Sequence, residues 1–222
     1  LEKISLTFQI QIPISSRRWG FFLFSGMNIF PRMHRFFLLL SLFFLHNSLG
    51  YGQGQPTVLI VYYSQSGNTQ AMAQAVEEGA KSVAGVRVLM LSIDQVSTKE
   101  LLEADAILLG SPVYNANVAP AVQEFINAWP FEGRPLKNKL GAAFVTGGGM
   151  SIGEELVQLN LLHSMLIHGM LVLGGAETEA AFGASAITGE APFQTGKVEE
   201  QFLVKGRGLG KRVAEMAVAL KK

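Results

Sequence analysis

The run Thr57–Tyr63, TVLIVYY, has no charged residue and no alternation of polar and apolar positions, and it meets the polar stretch SQSGNT (64–69) without transition. An unbroken β-branched and aromatic run suits a strand covered on both faces, and such strands belong to parallel sheets whose crossovers are helices. Four further apolar runs follow at crossover spacing: VRVLMLSI (86–93), AILLGS (106–111), LGAAFVTG (140–147) and MLVLGG (170–175). The intervening segments carry helical patterns. Residues 69–84 place Met72, Val76 and Gly79 on one side, Ser97 with Glu100 forms a capping box, and a helix over 119–129 is stopped by Pro130. The turn GGGMSIG leads into a helix through Ile167, closed by Gly169. A last helix over 197–220 carries Phe202, Leu209, Val213, Met216 and Leu220 on one stripe. Glu199 and Glu200 open that helix and Lys221 and Lys222 end it, as the helix dipole prefers.

Alternating βα units without a hairpin signal predict an α/β fold: a three-layer, doubly wound, five-stranded parallel sheet in the order 2-1-3-4-5 over residues 57–222. In that order the ligand crevice opens beyond the carboxyl ends of strands 1 and 3. Three unusual loops, 64–69, 111–118 and 146–153, all follow strands at that end.

Charge and composition narrow the chemistry. The chain has a formal net charge of +1, but residues 51–222 carry thirteen basic and sixteen acidic side chains, a balance of −3. No basic stripe with interleaved aromatics is present, which argues against nucleic acid as a partner. The absence of cysteine excludes disulfides, thiol catalysis and cysteine metal sites, and His34, His46, His163 and His168 lack zinc-ligand spacing, so no metal is expected.

Upstream of the domain, MHRFFLLLSLFFLHNSLG from Met33 has a basic start, an apolar run over 36–45 and small residues at Ser48 and Gly50, the order of a signal peptide over 33–50. The run is about half of the roughly 20 residues that span a bilayer, so no permanent anchor is expected. Residues 1–32 are expected to be an over-extended start with Met33 as the first residue, and 51–56 a linker. A working signal implies export to the periplasm or outside the cell; otherwise the chain stays in the cytoplasm.

In SQSGNT, Ser64, Gln65, Ser66, Asn68 and Thr69 offer hydroxyl and amide groups, Gly67 lets backbone approach closely, and the following helix points its amino end at the same place. That combination suits a phosphate held by neutral donors; a polar turn that merely caps the helix is the plainer alternative. The loop lacks the lysine of a P-loop and the glycine pattern of a dinucleotide fold, which disfavours ATP and a Rossmann-bound NAD. In the second loop, Pro112, Val113, Tyr114, Asn115, Ala116 and Asn117 offer one aromatic face and two amides to a flat heteroaromatic ring. In the third, Thr146, Gly147, Gly148, Gly149 and Met150 let backbone N–H groups face a ligand. His168 closes an apolar helix, where the dipole favours a protonated ring; a cap without catalytic role is the plainer reading of the residue alone. Residues 177–196 lack periodicity and suit a lid or a subunit contact.

Taken in series, VLIVYYSQSGNT, GSPVYNANVAPAVQEFI, VTGGG, HGMLVLG and FGASAITG resemble the flavodoxin-like flavoproteins, most closely the WrbA family of type IV NAD(P)H:quinone oxidoreductases, over residues 57–222. The resemblance implies a flavodoxin-like fold and FMN as cofactor, its phosphate at Ser64–Thr69 and its ring between Pro112–Asn117 and Thr146–Met150. It implies that His168, the HGM histidine, lies beside the flavin as a catalytic group, and that Phe131 or Trp129 lines the quinone pocket. NAD(P)H and quinones are the implied small-molecule partners, and a homo-oligomer the implied assembly. Two features depart from the family: Asn115 and Ala116 stand where its second loop has Phe-Gly, and the insertion after the second strand, which contributes to its tetramer, is missing. The implied activity is FMN-dependent two-electron reduction of quinones by NAD(P)H. A one-electron carrier of flavodoxin type is the alternative.

Overall fold

The computed structural model describes residues 54–221. The expectations for 1–32, 33–50 and the first half of the 51–56 linker fall outside them. The described chain forms β1 (Thr57–Tyr62), α1 (Asn68–Lys81), β2 (Arg87–Ser92), α2 (Thr98–Glu103), β3 (Ala106–Tyr114), β4 (Asn117–Val118) and α3 (Pro120–Asn127). It continues through β5 (Leu140–Gly147), α4 (Glu154–Ile167), β6 (Leu171–Val172), β7 (Ala184–Ile187) and α5 (Glu200–Leu220).

The sheet order is β2-β1-β3-β5-β6, parallel throughout this path. With the short β4 set aside, this is the expected 2-1-3-4-5 order. Alternate residues of the central strands feed two separate cores. Leu59, Val61, Ile107, Leu109 and Val145 pack with Val122 of α3 and Val157 and Leu161 of α4. On the opposite face, Val58, Ile60, Leu108 and Phe144 pack with Met72 and Val76 of α1 and Leu209 and Val213 of α5. Burial on both faces is why the central strands read as continuous apolar runs.

Helices α1 and α5 lie against each other on that second face, and glycines set their distance. A Cβ on Gly79 would collide with the Arg207 carbonyl, and one on Gly210 with the Val76 carbonyl. Their contact is backbone on backbone, which glycine alone permits at this approach. Of the expected α5 stripe, Phe202, Leu209 and Val213 are buried, whereas Met216 and Leu220 are exposed and Ala217 takes the inward position. The buried face of α5 is centred on Gly206, Gly210, Val213 and Ala217, to one side of the expected stripe, which leaves Met216 and Leu220 at its margin.

Two expectations about strands are corrected. The fifth strand is not one run over 170–175. β6 pairs Leu171 with Leu140, and β7 pairs Ala184 to Ile187 with Phe144 to Gly147, so one sheet edge is built from two pieces with residues 173–183 looped out between them. The aperiodic segment 177–196 therefore contributes a strand. In addition, β3 runs three residues past Ser111 and turns back antiparallel through β4, pairing Val113 with Val118 and Tyr114 with Asn117. The turn residues Asn115 and Ala116 both have positive φ, 51° and 60°, as a two-residue hairpin of the primed type requires.

The end of α4 follows the sequence reading closely. Gly169 has φ 81°, its N–H donates to the Leu166 carbonyl and the Met170 N–H to the Met165 carbonyl, which completes a Schellman motif. Among the described residues no helix is long and apolar enough to cross a membrane.

Candidate functional site

All three loops marked in the sequence come together at the carboxyl ends of β1, β3 and β5, where side-chain hydrogen bonds join them. After β1 the chain runs through Ser64, Gln65, Ser66 and Gly67 into α1. The Ser64 hydroxyl accepts from the Gly67 N–H at 3.1 Å, and Gly67 adopts φ 88° as the N-cap of α1. No side chain caps α1, in contrast to α2, where Ser97 and Glu100 form the expected reciprocal box. The first N–H groups of α1 are thus left facing outward with the helix dipole behind them, and the plainer reading of the loop as a cap does not hold. With the hydroxyls of Ser64 and Ser66 and the Asn68 amide, this is a neutral donor set of the kind that holds a phosphate.

Tyr114 reaches from the hairpin to the first loop, its hydroxyl donating to Gln65 Oε1 at 2.8 Å. Burial, with a smaller contribution from neighbouring Tyr63, raises the Tyr114 pKa, which keeps the phenol a donor. The hairpin stands on a buried Ser111, which accepts from the Ala119 N–H at 3.0 Å and donates to the Pro112 carbonyl at 2.7 Å. Asn117 Nδ2 donates to the Asn115 carbonyl at 2.8 Å, so this expected ligand amide is spent on the turn. The side chains of Asn115 and Ala116 form the exposed tip.

The third loop is held from two sides. Thr146 is buried and shares a 2.8 Å hydrogen bond with Thr69 of α1. Gly147 is buried, while Gly148 is exposed and a Cβ there would meet nothing within 4 Å. Met150 is 46% exposed beside it. Gly153, at φ 105°, opens α4 and lies against the hairpin tip, where an added Cβ would come within 2.6 Å of the Ala116 Cβ.

Open clefts flank the hairpin on either side. One of about 530 Å³ is lined by Val113, Tyr114, Asn115, Asn117, Val118 and Pro120. Another, of about 700 Å³, lies between Ala116, the start of α4 and Ser185 of β7. Both volumes suit a cofactor or substrate ring. A smaller hollow of about 280 Å³ at the opposite end of the sheet is lined in part by the Asp105–Lys221 ion pair, which fastens the end of α5.

His168, with Trp129 and Phe131 packed on its ring, is the expected site group that the fold does not bring to these loops. It is the C-cap of α4, and Leu171 just beyond it pairs with Leu140 at the beginning of β5. One helix of 14 residues, about 21 Å at 1.5 Å per residue, separates it from the loop at Gly153. The ring is 6% exposed and sits edge-on to Trp129 and Phe131, at centroid distances of 5.4 and 5.2 Å. His168 Nδ1 and Trp129 Nε1 are both buried without a hydrogen-bond partner in the described chain. Burial first, and the adjacent Arg134 second, lower the His168 pKa. The protonated ring expected from the helix dipole is therefore overruled: desolvation and a neighbouring cation both favour the neutral imidazole.

Two residues of the site were not singled out from the sequence, although Thr188 lies in FGASAITG and both lie in the aperiodic segment 177–196. Thr188 donates to the Gly147 carbonyl from its N–H and its hydroxyl, at 2.9 and 3.1 Å, and Glu190 Oε2 accepts from the Met150 N–H at 2.7 Å. They follow β7, a four-residue strand of small side chains, and recognising ASAI as a strand would have placed them at the carboxyl edge with the other loops. Among the described residues no cluster of acidic or histidine side chains is arranged to hold a metal.

A family model described as NADPH-dependent FMN reductase matches residues 95–184. The chain is 34% identical over 127 residues to a flavodoxin of Clostridium saccharobutylicum, covering 57% of this chain and 76% of that one. It is 31% identical over 201 residues to an NAD(P)H dehydrogenase (quinone) of Chromohalobacter salexigens, covering 73% and 98%. Among solved structures, a flavodoxin, WrbA-like protein from Agrobacterium tumefaciens superposes with a TM-score of 0.60 at 25% identity, over 74% of this chain and 98% of that one.

Proposed function

Because this chain belongs to the flavodoxin-like family of WrbA and the NAD(P)H dehydrogenases (quinone), FMN-dependent oxidoreductases, we propose that it carries out two-electron reduction of quinones with NAD(P)H as donor. The observation that carries the proposal is the joining of three loops at one sheet end, by Tyr114 to Gln65 and Thr69 to Thr146, around an uncapped helix start.

The residues present fit FMN. Ser64, Gln65, Ser66, Gly67 and Asn68 supply neutral donors and α1 amide groups for a phosphomonoester, with buried Thr69 bracing the helix start against Thr146. The hairpin from Pro112 to Asn117 and the glycine turn from Thr146 to Met150 bound a space for a flat ring. FMN, when bound, supplies the acceptance of hydride and the onward transfer of electrons. The chain's share is to hold the ring, to keep water from its buried edge and to meet developing negative charge with backbone N–H groups of the third loop. Overall, NAD(P)H, a proton and a quinone give NAD(P)⁺ and the hydroquinone.

His168 enters this reading through a second copy. The family resemblance puts the HGM histidine beside the cofactor, whereas in this fold it stands a helix length from its own loops. Both hold in a homo-oligomer where the Trp129, Phe131 and His168 cluster of one copy meets the loops of another. Support comes from the apolar rim around the cluster, with Phe131 55%, Ile167 62% and Leu171 48% exposed.

A one-electron carrier remains the second reading, favoured by the identity to a flavodoxin. The test loads the full chain with FMN and follows NADH and NADPH oxidation with benzoquinone. Turnover with either donor is expected, and its absence with both overturns the enzyme reading. Reductive titration in two separate one-electron stages would favour the carrier.

A further inference from the structure

Residues 188–196 form a closed loop whose ends meet, the Gly196 N–H donating to the Thr188 carbonyl at 2.6 Å. Such compact loops hold their shape by their own contacts. This one is anchored at three points. Thr188 is fastened to the Gly147 carbonyl through both of its donors. The Phe193 ring packs on Phe202 of α5, with centroids 5.1 Å apart. The Gln194 N–H donates to Glu199 Oε1 at 2.7 Å. Within this frame the chain turns at Glu190, whose carbonyl accepts from the Phe193 N–H at 3.0 Å.

From that turn the Glu190 carboxylate reaches across to the glycine loop and takes the Met150 N–H at 2.7 Å. The approach is close enough that a Cβ on Gly149 would lie 2.6 Å from Glu190 Oε2, so glycine at 149 and glutamate at 190 belong to one arrangement. A carboxylate accepting from a backbone N–H makes a stronger, better-directed bond than a neutral acceptor. It also brings a negative charge to the Gly147–Met150 segment, in addition to that of Glu154, which accepts from the Ile152 N–H at 3.1 Å further along the loop.

We propose that Glu190 is a positioning and affinity-setting residue for FMN. Its carboxylate fixes the Met150 amide and with it the Gly147–Met150 segment, and its charge makes the reduced cofactor, which has gained negative charge, bind less tightly than the oxidised one. The proposal rests on FMN lying against this segment.

The test uses the full chain with Glu190→Gln, which keeps an acceptor and removes the charge, and Glu190→Ala, which removes both. In Glu190→Gln, oxidised FMN should bind within about threefold of wild type while reduced FMN binds roughly tenfold tighter, the scale for unit charges on the order of 10 Å apart at intermediate dielectric. A tenfold change corresponds to about 30 mV in a two-electron midpoint potential, moved upward. In FMN-free Glu190→Ala, hydrogen exchange at the Met150 amide should quicken at least about tenfold while the core amides of β1 and β5 keep wild-type protection. An unmoved potential in Glu190→Gln overturns the charge role, and unmoved Met150 exchange overturns the positioning role. A wild-type chain that takes up no FMN overturns the underlying reading and this proposal with it. FMN uptake with an unmoved potential overturns the charge role alone.

Discussion

The hydroxyls of Thr69 and Thr146 lie 2.8 Å apart in a buried hydrogen bond that joins the first turn of α1 to the end of β5. Either oxygen can donate, and neither is accessible to water, since the two residues are 1% and 4% exposed. Thr69→Val removes one partner and leaves the Thr146 hydroxyl buried without its bond, which costs about 1–3 kcal/mol. Replacing both by valine removes the unpaired group as well, so the double variant should be more stable than the sum of the singles. Urea unfolding of the four proteins without FMN reads this as a positive coupling, and strict additivity would contradict it.

Ala116 sits at φ 60° in the hairpin turn, a conformation that places its Cβ against backbone. Glycine has no such conflict but loses more entropy on folding. The steric term is about 1–2 kcal/mol and the entropic one about 0.5–1, so Ala116→Gly should stabilise the chain by roughly 0.5–1 kcal/mol. Removing the Cβ also opens the contact with Gly153. A higher denaturation midpoint with unchanged slope is the expected result, and a lower midpoint would show that the turn does not hold this shape in solution.

The parallel sheet and its site loops were legible because burial on both faces leaves a continuous apolar run, and the polar residues that follow each run stand out against it. β1 and SQSGNT are the clearest case. The hairpin was not legible. The primed turn usually announces itself by Asn-Gly, and Asn115-Ala116 lacks the glycine. The split fifth strand was hidden for another reason: Ala184 and Ala186 are buried at an edge, where small side chains give no apolar signature. His168 was placed correctly along the chain, but its distance from the loops of its own copy was not legible, because the motif says what precedes β6 but not which end of the sheet that is. Following the direction of α4 from Gly153 would have shown it.

Gly210 tests how far the α1–α5 contact depends on backbone approach. The Val76 carbonyl occupies the space a Cβ would need, and a carbonyl inside α1 cannot swing aside as a flexible side chain can. Gly210→Ala should therefore lose about 2–3 kcal/mol, at the upper end of overpacking costs, despite alanine's higher helix propensity. Gly208, where a Cβ meets nothing within 4 Å, is the control, and Gly208→Ala should gain up to about 1 kcal/mol. Similar effects of the two substitutions on the thermal midpoint would refute the close contact.

His168 gives the chain a pH dependence whose sign follows from its surroundings. Its pKa is lowered from the ordinary 6.5 by burial and by Arg134, so the unfolded chain takes up a proton at a higher pH than the folded one. Stability contributed by the neutral ring is complete above about pH 6.5 and is lost as pH falls from there towards the folded value, at about 1.4 kcal/mol for each pH unit that lies between the two. His168→Phe keeps an aromatic ring between Trp129 and Phe131 and cannot titrate. Every other ionisable group is common to both proteins, so the difference between wild type and variant isolates this one. Urea unfolding of the FMN-free chain between about pH 5 and 8 should show wild type weakening relative to His168→Phe below pH 6.5, with parallel curves above it. Curves parallel over the whole range would mean that the ring takes up its proton alike in both states, the α4 dipole offsetting burial and Arg134, and a wild type that strengthens relative to the variant below pH 6.5 would mean that the dipole outweighs them.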